Sequence, residues 1–190
     1  MKELEERILR DGTVKPGGIL KVDNFLNHQI DTALLYDMAL ELKRLYAGED
    51  INKILTIEAS GIGIACIAAQ YFGCDVVFAK KSKSKNVSDD FYTAKVESFT
   101  HGNVNDITVS KEHIGKGDRI LIIDDFLALG NALKGLIEIV KVSGAELVGA
   151  GIAIEKAYQN GGKEIRESGV RVESLARVKK MTADGQIEFC

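Results

Sequence analysis

The sequence predicts an α/β fold: a mainly parallel central sheet flanked by helices. Three observations carry that prediction. From about Lys53 to Glu155, short apolar runs alternate with helical periodicities, the order that strand–helix–strand crossovers produce. The runs are rich in branched aliphatic residues, as strands covered on both faces are; Ile120 to Ile123 is the clearest. Two of the connections that follow these runs are small-residue loops with glycines, at Thr56–Gly63 and at Ala128–Ala132. In open α/β sheets, ligands bind outside the carboxyl ends of strands, where such loops lie.

The 190 residues suffice for one domain with a substantial core, and no low-complexity linker or internal repeat divides them, so residues 1–190 are expected to form a single domain. A formal net charge of −3 gives no general footprint for nucleic acid. No apolar run approaches membrane-spanning length, and the first residues, MKELEERILRDG, form a charged amphipathic pattern rather than a signal peptide. Cys66, Cys74 and Cys190 lack metal-ligand spacing and read as thiols in a reducing compartment; His28, His101 and His113 are equally scattered. No protein metal cluster is expected, and the location expected is cytoplasmic.

Taken in order, Leu4–Leu9 form a short helix closed by Gly12. Pro16 and Gly17-Gly18 set a turn within Val14–Val22. Lys21–Asp31 follows neither period and mixes Phe25 and Leu26 with Asn24, Asn27, His28 and Gln29. That mixture suits an irregular loop packed on the domain, or a pocket offering a flat heterocycle both packing surface and polar partners. Asp31 caps a helix to about Ala47, with Leu34, Leu35, Met38, Leu42 and Leu45 as its stripe and Gly48 at its end. Lys53–Glu58 is a strand, Ile62–Phe72 an alanine-rich helix, and Val76–Ala79 a strand leading to Lys80 and Lys81.

The polar stretch KSKSKNVSDD, residues 81–90, reads as a flexible loop. Phe91–Ser98 and Ile107–Ser110 alternate as two antiparallel strands inserted into the parallel array, with a turn at His101-Gly102-Asn103. A helix with Leu133, Leu136, Ile137 and Val140 on one face runs to Gly144, and Glu146–Glu155 returns as a strand followed by Lys156. Gly161-Gly162 precede a short helix through Ser168; Arg171–Val178 is a late strand. Asp184-Gly185 turns the chain into Ile187–Phe189.

The chemistry concentrates in Arg119–Ala132, RILIIDDFLALGNA. Asp124 and Asp125 stand where the strand reaches its carboxyl end, and Gly130 sits in the loop before a helix N-terminus. Free N–H groups and a positive dipole end there suit a phosphate, and the acid pair beside them suits the hydroxyls of a sugar phosphate. An aspartate at a strand end also caps turns and helices, so the pair alone decides little. The second loop, Thr56–Gly63, begins a G-x-G-x-x-G pattern at Gly61 and Gly63, but Cys66 stands at its third position and the next strand ends in Lys80-Lys81 rather than an acid. A nicotinamide site is therefore disfavoured. What survives is a second anion cradle at Ser60-Gly61. Two cradles with two lysines suit a ligand carrying phosphate at both ends.

The block of four hydrophobics, two acids and a small-residue loop resembles the phosphoribosyl-pyrophosphate (PRPP) motif of the type I phosphoribosyltransferases. Leu129, Asn131 and Ala132 stand where that family usually carries threonines and a second glycine. LKVDNFLNHQID, LIIDDFLALGNA, AIEKAY and VESLARV extend the resemblance over essentially the whole chain, to the bacterial xanthine enzymes of that family. The resemblance implies the type I phosphoribosyltransferase fold, with a core of about 32–156 and a small hood from about 1–31 and 157–190. It implies transfer of the 5-phosphoribosyl group from PRPP to N9 of xanthine in purine salvage, giving xanthosine 5′-monophosphate and pyrophosphate.

The same resemblance assigns roles. Asp124 and Asp125 become the catalytic acids at the ribose hydroxyls. Leu20, Asn27 and Lys156 contact the purine, lysine as a donor-only group that favours a 6-oxo over a 6-amino substituent. Ala128, Leu129, Gly130, Asn131 and Ala132 bind the 5′-phosphate, and Ala59, Ser60, Gly61, Lys80 and Lys81 the pyrophosphate. Ser60 stands where the adenine enzymes have arginine. Loop 81–90 closes over the site, Mg2+ arrives mostly through PRPP and pyrophosphate oxygens, and the chain forms a homodimer. Two alternatives stay open from the residues: an enzyme of the same class acting on guanine or hypoxanthine, and a PRPP-sensing regulator without turnover.

Overall fold

The computed structural model describes residues 1–82, 90–97, 104–182 and 184–190. The first helix, α1 (Lys2–Asp11), buries Leu4 and Ile8. Gly12 follows it in extended backbone, and a side chain there would collide with the Ile8 carbonyl that its N–H bonds. The turn at Pro16–Gly18 closes a small hairpin of β1 (Thr13–Lys15) and β2 (Ile19–Lys21), with Gly17 and Gly18 at φ 81° and 71°. The segment expected to be irregular contains one π-helical turn, Asp23–Asn27, which buries Phe25 and Leu26.

Helix α2 (Thr32–Leu45) starts where expected, the Asp31 carboxylate accepting the Leu34 N–H at 3.2 Å. It stops at Tyr46, two residues before Gly48, because Tyr46 turns into the core and its hydroxyl donates to the Ala150 carbonyl at 2.9 Å. Strand β3 (Lys53–Ile57), helix α3 (Ser60–Phe72) and strand β4 (Asp75–Ser82) follow. Strand β4 runs beyond Ala79 and takes Lys80 and Lys81 into the sheet, since its end pairs with β6 (Val104–Ser110), Lys80 opposite Thr108. Strand β5 (Phe91–Glu97) pairs antiparallel with β6, as the alternation predicts. The flexible-loop expectation for 81–90 falls mainly on residues 83–89, and the His101–Asn103 turn on 98–103; both lie outside the described residues.

Strand β7 (Arg119–Leu127) is longer than its apolar run, because β8 (Glu146–Lys156) pairs with it through Phe126↔Ile154 and Leu127↔Glu155. Helix α4 (Asn131–Ser143) lies between them and ends at Gly144, φ 77°; Ile139 joins Leu133, Leu136 and Val140 in the core, while Ile137 is only partly buried. Helix α5 (Gly161–Glu167) includes the two glycines expected to precede it. Strands β9 (Val172–Met181) and β10 (Ile187–Phe189) form an antiparallel pair.

One eight-stranded sheet has the order β10-β9-β8-β7-β3-β4-β6-β5, parallel from β9 to β4 and antiparallel at both ends. Helices α1, α2 and α3 share one buried cluster with Ile54, Leu121 and Ile123; α4 shares another with Leu55, Ile57, Ile120 and Ile122. Alternate residues of the central strands thus feed opposite cores, which is why those strands read as continuous apolar runs. Two glycines in β8 let the helical layer approach: a Cβ on Gly149 would lie 2.6 Å from the Tyr46 hydroxyl, and one on Gly151 2.7 Å from Leu42. Gly149→Ala should therefore destabilise the chain by ~1–3 kcal/mol through overpacking. A thermal midpoint equal to that of the unsubstituted chain would contradict this packing.

Candidate active site

The carboxyl ends of β3, β4, β7 and β8 lie side by side, and their lengths differ. Strand β3 stops at Ile57, whereas β7 runs on through Asp124 and Asp125 to Leu127. The step leaves the β3–α3 turn, Glu58–Gly61, facing the side of β7. The Glu58–Ala59 peptide there is cis, and the Glu58 carboxylate accepts the Lys81 N–H at 2.6 Å. Gly61 fits tightly: a side chain on it would collide with the Thr56 hydroxyl and lie 3.3 Å from Asp124 Oδ1 and 3.4 Å from the Ile123 carbonyl. Ser60-Gly61 and Asp124 are therefore brought together as neighbours.

Asp124 is 4% exposed, and its Oδ1 accepts the Asp125 N–H at 2.9 Å; Asp125 in turn accepts the Phe126 N–H at 2.9 Å. Burial first, and the neighbouring Asp125 charge second, hold the Asp124 carboxyl well above the usual carboxylate range, while the Lys81 charge draws it back. Buried carboxyl groups beside a second acid call for a cation or for hydroxyl donors. Beside them the Thr56 hydroxyl is fully buried without a hydrogen-bond partner. By sequence alone Thr56 has no role beyond the end of a strand and the start of a loop; a lone hydroxyl in an apolar run, five residues before the first glycine of the loop, is the available signal.

Lys80 and Lys81, adjacent in a strand, face opposite ways. The Lys81 charge acts on Asp124, whereas the Lys80 ammonium lies 5.9 Å from the Phe78 ring centroid and lines a cleft of about 740 Å³ together with Lys53, Phe91, Ser110 and His113. The structure does not bring Lys80 to the acid pair, and that cleft contains neither carboxylate.

Past β7, Ala128–Gly130 turn sharply into α4. Gly130 is the helix N-cap at φ 80°, and a Cβ on it would lie 2.9 Å from Ile165 of α5. Gly161 packs under the same loop, where a Cβ would lie 2.6 Å from the Gly130 nitrogen. Helical N–H groups at such a start lack intrahelical acceptors, and Gly130 contributes no capping side chain. The loop is thus a backbone cradle, independent of the hydroxyls that Leu129, Asn131 and Ala132 do not supply.

Lys156, at the end of β8, is 8% exposed and donates to the Gly18 carbonyl at 2.9 Å, with its ammonium 6.0 Å from the Phe126 ring centroid. Burial lowers its pKa from the ordinary lysine value. The contact brings Lys156 against the β1–β2 turn, two residues from buried Leu20. Asn27 lies farther along, at the end of the π-helical turn, with a buried side-chain oxygen that has no partner. Sequence reading missed both Gly18, taken only as a turn residue, and Phe126, two positions beyond Asp124 on the same strand.

The arrangement joins a backbone cradle, an acid pair and a second turn with a lysine, with a buried ammonium at the end of β8 and an unpartnered amide oxygen at the end of the π-helical turn. Among the described residues no three His, Cys, Asp or Glu side chains gather as a metal-binding group. No helix of the described residues is long and apolar enough to cross a membrane.

Comparison with known proteins agrees with this geometry. The phosphoribosyl transferase domain model matches residues 21–180. The chain is 56% identical over 190 residues to the xanthine phosphoribosyltransferase of Lachnoclostridium phytofermentans, covering 100% of this chain and 98% of that one. It is 56% identical over 185 residues to xanthine phosphoribosyltransferase 2 of Clostridium botulinum strain Hall, covering 97% of each. Among solved structures, the adenine phosphoribosyltransferase of Giardia lamblia complexed with 9-deazaadenine superposes with a TM-score of 0.77 at 21% identity, over 92% of this chain and 97% of that one, a likeness of fold.

The acid pair yields a stability prediction. A carboxyl whose folded-state pKa exceeds its unfolded value binds its proton more tightly in the folded chain. The stability it contributes is therefore complete below the unfolded value and is lost as pH rises through the folded one. Asp124→Asn should raise the thermal midpoint at neutral pH and flatten the decline in stability that begins above about pH 4. A lower midpoint at pH 7 would show that the buried charge is compensated within the chain.

Proposed function

The chain belongs to the phosphoribosyl transferase family, and from that premise we infer that it transfers the 5-phosphoribosyl group of PRPP to xanthine, giving xanthosine 5′-monophosphate and pyrophosphate in purine salvage. The observation that carries the reading is the carboxyl end of β7, which delivers the buried Asp124 beside the half-buried Asp125 and runs straight into a backbone cradle at a helix start.

In this reading N–H groups of Ala128, Leu129, Gly130, Asn131 and Ala132 hold the 5′-phosphate. Asp124 and Asp125 meet the ribose hydroxyls, fix the ring and stabilise positive charge as the bond from C1 to pyrophosphate breaks. The turn Ala59-Ser60-Gly61 and Lys81 receive the departing pyrophosphate. N9 of the base then bonds to C1, and its proton leaves to solvent. Mg2+ supplies charge neutralisation on the pyrophosphate oxygens when bound, mostly through those oxygens and water. Asp124 and Asp125 would be the carboxylates to fit it, since a buried carboxyl beside a second acid gains from a nearby cation.

Leu20 packs on the purine, and the unpartnered oxygen of Asn27 accepts a ring N–H. Lys156 donates to the 6-oxo group, exchanging the Gly18 carbonyl for a substrate oxygen. An ammonium has no acceptor, so a 6-amino purine meets donor against donor. The protein acts in the cytoplasm, as a homodimer.

Substituting Asn for both Asp124 and Asp125 should lower kcat by about a hundredfold or more while the chain stays folded. Lys156→Met should raise the KM for xanthine about tenfold to a hundredfold, as expected for losing a hydrogen bond from a charged donor, and leave the KM for PRPP within about twofold. Steady-state kinetics with each substrate varied in turn check both. Unchanged base preference in Lys156→Met would remove that lysine from purine recognition.

A further inference from the structure

Glu155 immediately precedes Lys156 in β8, and strand alternation turns its side chain the opposite way. Its side chain is 3% exposed and accepts four hydrogen bonds from one cluster. Arg166 of α5 grips it as a fork, Nη1 to Oε1 at 2.8 Å and Nη2 to Oε2 at 2.7 Å. The Ser174 hydroxyl donates to Oε2 at 2.6 Å, and Arg177 Nε reaches the same oxygen at 3.2 Å. Arg166 also donates from Nε to the Val172 carbonyl at 3.2 Å, so the guanidinium is tied to β9 as well. A buried carboxylate with a bidentate arginine, a hydroxyl and a second arginine has its lone pairs satisfied, the condition under which a buried ion pair holds one geometry.

What that geometry fixes is the start of α5. Gly162 lies against the Glu155 carboxylate so closely that a side chain would collide with it and would come within 2.9 Å of Arg166 Nη1. On its other side, Gly161 lies beneath the Ala128–Gly130 turn, and Ile165, one turn on, fills the space under Gly130. The two glycines are therefore sandwiched between the carboxylate and the cradle. Movement of α5 away from Glu155 drives Gly161 into the cradle, and movement towards Glu155 is blocked by the carboxylate. The exposed Lys134–Glu164 pair, at 2.6 Å, joins α4 to α5 on the outside and is screened by solvent.

We propose that Glu155 and Arg166 are positioning residues for PRPP: through Gly161-Gly162 they hold the Ala128–Ala132 cradle in the shape that binds the 5′-phosphate, without touching substrate. The inference rests on the assignment of that cradle to the 5′-phosphate. It also accounts for an acid next to Lys156: one strand end braces the phosphate cradle with one residue and reads the base with the next.

The test compares Arg166→Lys, Glu155→Gln and Gly130→Ala by steady-state kinetics, and by calorimetric titration with ribose 5-phosphate. Lysine keeps the charge but cannot fork, so Arg166→Lys should fold. The expected result is a rise of about tenfold in KM for PRPP and a similar weakening of ribose 5-phosphate binding, with kcat and the KM for xanthine within about threefold. Should Glu155→Gln fail to fold, Arg166→Lys alone carries the test. Gly130→Ala acts on the cradle directly, so a PRPP effect there with none in Arg166→Lys or Glu155→Gln would overturn the bracing role. No PRPP effect in Gly130→Ala would overturn the cradle assignment itself. Equal losses for PRPP and xanthine in Arg166→Lys would mean general damage to the sheet end, and would likewise overturn the proposal.

Discussion

The parallel pairing of β7 with β8 continues beyond the point where β3 ends, and the geometry of the site follows from it. Inside the sheet that pairing is ordinary, with aliphatic side chains feeding a core on each face. The pairing of β7 with β3 ends at Ile122 while its pairing with β8 runs on to Leu127, so β7 gains an unpaired flank at the level of Asp124 and Asp125. The turn after β3 folds into that flank, and only glycine fits at position 61, where Thr56 and Asp124 crowd the backbone. The approach of this turn to the acid pair is the consequence of unequal strand lengths.

Burial has opposite consequences for the two carboxylates at this end of the sheet. Glu155 is desolvated too, which pushes its pKa up, but hydrogen bonds from Arg166 and Ser174 and the arginine charges outweigh that and leave it below the usual range. Asp124 has a backbone N–H and the more distant Lys81, and these do not offset burial and the neighbouring acid. Glu155 is satisfied within the chain, whereas Asp124 is not.

Much of this was legible in the sequence, for physical reasons. Strands buried on both faces leave unbroken aliphatic runs, and Ile120–Ile123 gave both the strand and the place of the acids. The Asp31 cap and the alternation of Phe91–Glu97 also translated directly, because each depends on local chemistry. What stayed hidden depends on residues far apart in the chain. The extension of β7 to Leu127 and of β4 to Lys81 comes from pairing with partners, not from their own composition. The end of α2 is set by Tyr46 reaching the Ala150 carbonyl rather than by Gly48. The opposed directions of Lys80 and Lys81 follow from strand geometry once the strand is known to include them. The Glu155–Arg166 fork, eleven residues apart across a turn and a helix, leaves no spacing to read.

Transfer of a phosphoribosyl group with selection of xanthine is the proposed work of this site. The most direct measurement is the initial rate of pyrophosphate release from PRPP, in the presence of Mg2+, with xanthine, guanine, hypoxanthine and adenine supplied in turn. The account predicts the highest kcat/KM for xanthine and the lowest for adenine, whose 6-amino group opposes the Lys156 ammonium. A higher kcat/KM for adenine than for xanthine, or no release with any base from protein that binds PRPP, would contradict it.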